Sequence, residues 1–387
     1  MTEQPVPPGH LRAAAQVDLA AIRDNVALLR DRSGDAELMA VVKADGYGHG
    51  MVRSARAAVA GGATWLGTAV LEEALALRAA GFDQRILSWL AVPGEAYASG
   101  ITADVDLSVS SVEALREVAA AAATVGGRPI ARIHLKVDTG LGRNGASRAD
   151  WPELVEAARK AEIDGVIRVV GLWSHFAYAD APGHPTIAAQ IREFHEAVAV
   201  AERAGIEPEV RHLANSAATL TLPESHFDLV RPGIAVYGVS PGPDVGRPAD
   251  LGLRPAMTLW ARLALVKRLP AGHGVSYGHR YVTSRPTTLG LIPLGYADGI
   301  PRNATNLAPM LAAGRIRPIA GAVCMDQVCV DLGDDAAAAG DEVVLFGPGD
   351  RGEPTAQDWA EALDTIAYEI VTRIGARVPR VYSGDGR

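Results

Sequence analysis

The sequence has little cysteine and no long apolar run, and each shortage narrows the kind of protein it encodes. The two cysteines, Cys324 and Cys329, stand an odd number of residues apart, which would point them to opposite faces of a strand. A disulfide or metal pair between them is therefore not expected, and a reducing cytoplasm fits this composition. No apolar run reaches the ~20 residues of a membrane helix. The N-terminus also lacks the basic and apolar regions of a secretory signal.

An excess of positive charge is also missing. The formal net charge is −8, so no basic stripe is expected that could follow the phosphates of a nucleic acid. Lysine is rare even among the basic residues, because only four of the 37 are lysines, namely Lys43, Lys136, Lys160 and Lys267. A lysine in this chain therefore requires a chemical explanation, above all Lys43 in the stretch "AVVKADGYGHG" of residues 40–50.

The 387 residues and the hydrophobic content of 48% predict a large domain followed by a smaller one. From residue 38 to about 235, eight apolar runs alternate with helical segments, a pattern typical of βα units. The runs are "LMAVVK", "TWLGTAV", "RILSWL", "ADVDLSV", "ARIHLKV", "IRVVGLWSH", "VRHLAN" and "FDLVRPGIAVYG". Among the helices, one begins after Ser110 or Ser111 and another ends at Gly205. Eight such units predict an α/β fold with a closed (β/α)₈ barrel of the TIM type, and an open doubly wound sheet is the alternative.

A Gly/Pro-rich linker at residues 237–255 marks a change in pattern, because the runs that follow are β-rich and separated by turn residues. One helix is predicted over residues 356–374, with Thr355 as its cap. The predicted domains are therefore a barrel at 11–246 and a mostly β domain at 247–387. An N-terminal arm, residues 1–10, is expected to pack near the second domain.

Two glycine motifs suggest activities that their context does not support. "GLGRNG" at 140–145 fits the G-x-G-x-x-G dinucleotide pattern, but it follows the fifth predicted strand and does not open a first βαβ unit. "GVSYG" at 274–278 fits the nucleophile elbow, but no helix follows it and His279 is the last histidine of the chain. The histidines form no H-E-x-x-H motif or close His/Cys group, so a zinc site is not expected.

Functional side chains follow the predicted barrel strands, whose carboxyl ends share one rim. The rim residues are Lys43 and Tyr47 after the first run, Lys136 and Arg143 after the fifth, His175 after the sixth, Asn215 and Ser216 after the seventh, and Arg231 and Gly233 after the eighth. A lysine among other cations loses its proton more easily and becomes a nucleophile toward an aldehyde. Hydroxyl and backbone N–H groups on the last strands suit a phosphate. An aldehyde that carries a phosphate points to pyridoxal phosphate.

The sequence resembles the alanine racemases, a family of fold-type III pyridoxal-phosphate enzymes, over nearly its whole length. The ordered blocks that carry the resemblance are "AVVKADGYGHG", "HLKVDTGLGRNG", "SHFA", "LANSAA", "RPGIAVYG", "VSYGHRY", "GYADG", "CMDQ" and "AYEIVTRIGARVPRVY". The resemblance implies a barrel followed by a β-rich domain, and a cytoplasmic isomerase that interconverts L- and D-alanine and supplies D-alanine for peptidoglycan. Neither nucleic acid nor a membrane is expected as a partner.

The resemblance also implies roles for individual residues. Lys43 would bind the cofactor covalently, Arg231 would face its pyridine nitrogen, and His175 would orient Arg231 and a catalytic tyrosine. The remaining cofactor-binding residues would be Tyr47, Asn215, Ser216, Gly233, Ile234 and Tyr368, which hold or adjoin the phosphate. The glycines near Lys43 are interpreted as leaving room for the cofactor. No metal is implied.

Racemisation needs one acid/base group on each face of Cα, and the resemblance assigns these to Lys43 and to Tyr277 from the second subunit of a homodimer. Arg143 and the backbone N–H of Met325 would bind the substrate carboxylate, and Lys136 would be carbamylated. The residues of the substrate corridor would be Asp180, Tyr296, Asp298 and Ile366. Ala322 departs from the arginine that the family often has in this corridor, which leaves strictness for alanine open.

Three alternatives remain at this stage. The first is a racemase of the same family that acts on serine, lysine or other larger amino acids. The second is a fold-type III decarboxylase, which would be expected to have an acidic residue in place of Arg231. The third is a non-catalytic pyridoxal-phosphate carrier, but single-barrel carriers lack the domain that provides Tyr277 and Met325.

Overall fold

The computed structural model describes residues 10–126 and 130–384. Most of the predicted N-terminal arm, residues 1–9, lies outside the described residues. The strands, in chain order, are β1 (Ala13–Asp18), β2 (Glu37–Val41), β3 (Trp65–Thr68), β4 (Arg85–Ser88), β5 (Asp106–Val109), β6 (Ala131–Lys136), β7 (Ile167–Trp173), β8 (Val210–His212), β9 (Leu229–Val230), β10 (Met257–Arg262), β11 (Leu265–Leu269), β12 (Gly274–Val275), β13 (Tyr281–Val282), β14 (Thr287–Ile292), β15 (Pro309–Ala312), β16 (Arg315–Pro318), β17 (Val328–Gly333), β18 (Glu342–Phe346) and β19 (Arg380–Ser383).

Most of the helices connect the barrel strands, and two helices lie near the end of the second domain. They are α1 (Leu19–Arg32), α2 (Lys43–Tyr47), α3 (Met51–Ala60), α4 (Leu71–Ala79), α5 (Tyr97–Thr102), α6 (Val112–Thr124), α7 (Trp151–Ile163), α8 (Pro185–Arg203), α9 (Ser216–Thr221), α10 (Ala356–Leu363) and α11 (Ala367–Thr372). Ser111 caps α6, as predicted, because its hydroxyl accepts the Ala114 N–H. No helix in the described part of the chain is long and apolar enough to cross a bilayer.

Strands β2 to β9 form the predicted barrel. They pair in parallel in sequence order, and β9 returns to pair with β2. Backbone hydrogen bonds from Asp228 N–H to the Arg211 carbonyl and from Arg231 N–H to the Ala214 carbonyl join β9 to β8. The barrel is thereby closed, so the fold prediction is confirmed and the open sheet is excluded. The eighth run is a strand only at Leu229–Val230, and its later part is a 3₁₀ turn at Ile234–Tyr237.

The second domain is mostly β, as predicted, and recruits a strand from the N-terminal end of the chain. Its six-stranded sheet has the order β16-β15-β18-β10-β1-β19, in which β1 pairs antiparallel with β10 and parallel with β19. A three-stranded sheet, β11-β14-β17, and the hairpin β12-β13 complete it. The predicted boundary at residue 11 assigns β1 to the barrel domain, whereas its hydrogen bonds place it in this sheet.

Two local expectations in the second domain are wrong. The single helix predicted at 356–374 is two helices, α10 and α11, because Asp364 between them adopts a left-handed conformation with φ of 54°. Thr355 does cap α10, as predicted. Cys324 does not lie on a strand with Cys329 but in the loop before β17. Both cysteines are free, in agreement with the expected absence of a disulfide.

Candidate active site

The short segment α2 (Lys43–Tyr47), which follows β2, is not a right-handed helix but a left-handed turn that begins at Lys43. Five successive residues, 44–48, have positive φ values, and those with side chains cost roughly 1–2 kcal/mol each in this conformation. Surrounding groups hold the turn. Ala44 N–H donates to a Glu73 carboxylate oxygen at 2.7 Å, and the Asp45 carboxylate accepts the Met51 N–H at 2.9 Å. Strain held in this way is typical of functional sites.

The glycines of this segment make room for other parts of the protein. A Cβ at Gly48 would lie 2.5 Å from the Val371 carbonyl oxygen, and one at Gly50 would overlap the Tyr382 hydroxyl. Arg380 additionally donates from Nε to the Gly48 carbonyl at 2.9 Å. The glycines therefore allow the turn to pack against the second domain, and their interpretation as space for a cofactor is not supported by these contacts.

Four cationic side chains surround the mouth of the barrel, namely those of Lys43, Lys136, Arg143 and Arg231. The Lys136 amine lies 4.1 Å from the Trp173 ring centroid and the Arg231 guanidinium carbon lies 4.9 Å from it, whereas Lys43 lies 5.7 Å from the ring of Trp89. Burial and then the charge of Arg143 lower the pKa of the Lys43 amine. Burial and the charges of Arg231 and Arg143 lower the pKa of Lys136 to about 7. Both lysines thus lose their protons more easily than a surface lysine.

Arg231 is buried and held by four acceptors. One terminal nitrogen, Nη2, contacts the carbonyls of Ser174 and Leu213 at 2.8 and 3.2 Å and His175 Nδ1 at 3.3 Å. The other, Nη1, contacts His212 Nδ1 at 3.1 Å. Burial lowers the pKa of Arg231 to about 9, so the guanidinium still carries its charge at neutral pH. Burial, and then the charge of Arg231, hold the pKa of His175 well below its usual value.

Donors without acceptors converge around Gly233. The Ser216 hydroxyl oxygen accepts the N–H of Gly233 at 2.8 Å and that of Ala235 at 3.3 Å. A Cβ on residue 233 would overlap the Tyr47 hydroxyl, and the Tyr47 and Tyr368 ring centroids are 6.3 Å apart. Within the described residues, neither the Tyr47 and Tyr368 hydroxyls nor the Ile234 N–H donates a hydrogen bond to the protein. Such a group of free donors suits an anion.

The neighbouring Asn215 is a structural residue as well as a member of this rim. Its side-chain oxygen accepts the Ala218 N–H at 3.1 Å and caps α9, which places Ser216 at the first position of that helix. Asn215 therefore fixes the direction in which the Ser216 hydroxyl meets Gly233.

The loop that carries Arg143 is organised by a carboxylate. Asp138 accepts the N–H groups of Gly140, Leu141 and Gly142 at 2.9 to 3.2 Å. The backbone donors that would bind a dinucleotide phosphate are thus already occupied, and α7 begins only at Trp151. This geometry agrees with the rejection of the dinucleotide motif, and it leaves the Arg143 side chain exposed at the rim.

Tyr277 and Met325 lie together in the second domain. Ser276 donates from its hydroxyl to the Ala322 carbonyl at 2.7 Å and contacts Cys324 Sγ at 3.2 Å, which joins the two loops. The Tyr277 side chain is 74% exposed and Met325 is 53% exposed. In residues 10–126 and 130–384, the Tyr277 hydroxyl and the Met325 N–H have no hydrogen-bond partner. The Ser276 hydrogen bonds also agree with the rejection of the nucleophile elbow.

The predicted corridor residues form two pairs, one beside the loop of Met325 and the other near Tyr368 and its helix α11. Tyr296 N–H donates to the Cys324 carbonyl at 3.0 Å, and the buried Asp298 accepts the Gly295 N–H and pairs with Arg12 at 2.8 Å. These two residues therefore lie beside the loop of Met325. Asp180 lies near Tyr368, whose pKa is raised by burial and by this carboxylate. Ile366 is exposed at the start of α11, the helix that carries Tyr368.

The similarity of the chain to known proteins decides its family. Models of the alanine racemase N-terminal domain and C-terminal domain match residues 17–241 and 256–382. The chain belongs to the alanine racemase family. Its activity class is accordingly that of a pyridoxal-phosphate-dependent amino-acid racemase.

Individual alanine racemases match over nearly their whole length. The protein of Frankia casuarinae is 66% identical over 385 residues, which cover 99% of this chain and 100% of that protein. The solved structure from Streptomyces coelicolor has 62% identity and a TM-score of 0.96, with 97% and 99% of the two chains covered. A structure from Bacillus anthracis, solved with bound L-Ala-P, has 34% identity and a TM-score of 0.88, with 98% and 97% covered.

Some residues of this candidate site could not be identified from the sequence. Glu73, which holds the left-handed turn, lies in the first turn of α4, shortly after β3, where an acidic residue is ordinarily interpreted as favouring the start of the helix. Trp173 and His212 lie within strands β7 and β8, where apolar runs favour a core interpretation. A signal for His212 did exist, since a histidine inside a buried strand needs a polar partner within the barrel.

Proposed function

We propose that this chain interconverts L-alanine and D-alanine, with Lys43 and Tyr277 as its two acid/base groups, and that the D-alanine supplies peptidoglycan. The observation that carries this proposal is the position of Lys43. Its easily deprotonated amine shares a barrel mouth with the free donors around Gly233.

The residues at this mouth fit pyridoxal phosphate. Tyr47, Ser216, Gly233, Ile234 and Tyr368 would hold the phosphate. The Tyr47 and Tyr368 hydroxyls and the Ile234 N–H donate to no protein group among the described residues, and the Ser216 hydroxyl beside them accepts the Gly233 N–H at 2.8 Å. When bound, the cofactor supplies an aldehyde for covalent attachment and a system that accepts electrons from the substrate. Lys43 is the amine we propose for that attachment.

Arg231 would donate a hydrogen bond to the pyridine nitrogen without transferring its proton. A guanidinium with a pKa of about 9 remains a donor at neutral pH and does not give its proton away. The pyridine nitrogen would then stay unprotonated, which limits electron withdrawal and disfavours protonation at a carbon other than Cα. His175, in contact with Arg231 at 3.3 Å, would fix its orientation.

Lys43 and Tyr277 would exchange protons with opposite faces of Cα. Inversion requires that the proton removed from one face is replaced from the other, so a single base on one face does not suffice. Lys43 lies at the barrel mouth, whereas Tyr277 projects from the second domain and is exposed. Arg143 and the Met325 N–H would bind the substrate carboxylate between them.

The exposure of Tyr277 supports a homodimer with shared active sites. A tyrosine and a free N–H at the surface of one subunit would complete the barrel mouth of the other if the two subunits pack head to tail. In such an arrangement, the exposed apolar parts of Tyr277 and Met325 would lose their contact with water.

A broader racemase remains the second candidate because of Ala322. This residue is buried, and its methyl group replaces a guanidinium that would narrow and charge the corridor. A wider corridor would admit serine or lysine. Asp180, Tyr296, Asp298 and Ile366 would still line it.

The function is tested by incubating purified protein with L-alanine, L-serine and L-lysine separately and by following the loss of optical rotation. We expect D-alanine to form much faster than either other D-amino acid. Comparable rates with serine or lysine would favour the broader racemase. Failure to form any D-amino acid, with cofactor bound, would exclude a racemase.

We also propose that Lys136 is carbamylated. A neutral amine attacks carbon dioxide to give a carbamate and a proton, and a pKa of about 7 makes this form available at neutral pH. The carbamate would be anionic and would replace repulsion among the cations by attraction to Arg143. We expect the modification to increase as the pH rises through about 7, because protonation below that value removes the nucleophile.

Carbon-13 NMR of protein equilibrated with labelled bicarbonate at several pH values measures this modification. The expected carbamate signal should be lost in Lys136→Ala and kept in Lys160→Ala, since Lys160 is exposed on α7. A wild-type spectrum without the signal at pH 8, or an unchanged signal in Lys136→Ala, would contradict the assignment.

A further inference from the structure

A line of hydrogen bonds runs through the barrel interior, away from the site. His212 Nδ1 meets Arg231 Nη1 at 3.1 Å, His212 Nε2 meets His134 Nδ1 at 2.8 Å, and His134 Nε2 meets an Asp106 carboxylate oxygen at 3.2 Å. The side chains of Asp106 and His134 are fully buried. Asp106 is the first residue of β5, so the line ends at the face of the barrel opposite the site.

The end groups fix the direction of every proton in this line. An arginine can only donate, so His212 Nδ1 must accept and its proton must lie on Nε2. His134 Nδ1 then accepts that proton, and His134 donates from Nε2 to Asp106. Burial raises the pKa of Asp106, but the hydrogen bond from His134 and the charge of Arg85 lower it to about 2, so the carboxylate accepts throughout the neutral range.

We infer that Asp106, His134 and His212 form an interior relay that positions Arg231 by holding both imidazoles in the Nε2–H tautomer. The inference rests on the role proposed for Arg231 toward the cofactor. Without the carboxylate, His134 could carry its proton on Nδ1, and His212 would then carry its own on Nδ1. That N–H would face the N–H of Arg231 and displace the guanidinium.

Neighbouring side chains hold each member of the relay in its position. Arg132 donates from Nε to Asp106 at 2.6 Å, Arg85 also pairs with it, and Arg85 pairs with Glu209 at 3.1 Å. The Trp173 ring stacks on His212 with 5.5 Å between centroids and 6° between planes. Gly171 leaves the space for the other imidazole, because a Cβ there would overlap His134 Nδ1.

The relay is tested directly by nitrogen-15 NMR of full-length holoenzyme labelled at histidine. Nitrogen shifts distinguish the two tautomers from the doubly protonated ring. We expect His134 and His212 to be neutral with the proton on Nε2. A proton on Nδ1 of either ring would overturn the inference, whether or not the protein racemises alanine, so this result is independent of the proposed function.

Two substitutions of His134 separate the relay from packing. His134→Gln retains an acceptor toward His212 and a donor toward Asp106, whereas His134→Leu retains neither. We expect His134→Leu to change the His212 tautomer and to lower kcat on the order of 10-fold, as removal of such supporting partners often does. His134→Gln should restore the tautomer and kcat to within about twofold of the wild type. Equal kcat and an unchanged His212 tautomer in His134→Leu would overturn the inference.

A glycine variant provides the same test without removing a polar group. Gly171→Ala must displace the His134 ring, so we expect it to change the His212 tautomer. Gly126→Ala, whose added Cβ would meet no atom of the described residues within 4 Å, should not. An unchanged tautomer in Gly171→Ala, with the wild-type signals intact, would show that the relay does not determine the state of His212.

Discussion

Replacing Lys43 with alanine is expected to abolish both covalent binding of pyridoxal phosphate and racemisation. The methyl side chain of alanine cannot attach the cofactor or exchange a proton. Loss of an acid/base group alone lowers the rate by about 10²–10⁴-fold. The measurement is reduction with borohydride followed by mass spectrometry of the peptides, together with the visible absorption of the protein and D-alanine formation. We expect the wild type to carry the reduced cofactor on the peptide that contains Lys43.

The alternative attachment site is Lys136, because this second lysine at the mouth has a pKa of about 7. Cofactor found on Lys136 in the wild type, or retained by Lys43→Ala after reduction, would therefore refute the assignment. Lys160→Ala is the matched control, since Lys160 is exposed on α7 and should be replaceable without loss of absorption or activity.

The barrel could be predicted from the sequence because its strands are buried on both faces and read as continuous apolar runs. All eight runs contain a strand. The second domain was harder to predict because pairing there is not local. The alanine-rich β1 pairs with β10, more than 200 residues later, as the register Ala13 to Ala261 shows. Similarly, the last helix is interrupted by three residues, among which Asp364 is left-handed and Ile366 is extended, and neither residue type requires such a break.

The site was predictable where it depends on strand ends. Lys136 ends β6, and His175 and Arg231 follow β7 and β9, and a parallel barrel brings such residues to one rim. The left-handed turn was not predictable, because three of its five residues are not glycine and their conformation depends on partners such as Glu73. The interior relay was also missed, since Asp106, His134 and His212 lie on three different strands and only the closed barrel brings them together.

Replacing Tyr277 with phenylalanine should leave the cofactor bound but stop racemisation. The two alanine enantiomers have equal free energy, so kcat/KM must fall equally in both directions, by about 10²–10⁴-fold for a lost acid/base group. The two half-reactions should differ, however, because Lys43 remains. In deuterated water, we expect the enantiomer that Lys43 deprotonates to exchange its α-hydrogen with solvent while the other enantiomer does not. Exchange of both enantiomers at the wild-type rate would refute the two-base assignment, and Tyr97→Phe, on α5, serves as the control.

Mixing the two inactive variants tests whether Tyr277 acts across a dimer. In a head-to-tail dimer, a hybrid of Lys43→Ala and Tyr277→Phe subunits has one site with both defects and one site with neither. Random reassociation makes half of the dimers hybrid, so roughly a quarter of the wild-type activity should return. If Tyr277 instead serves the barrel of its own chain, every site in the hybrid contains one defect and no activity returns. The exposed position of Tyr277 leads us to expect recovery, and its absence would place the second base elsewhere.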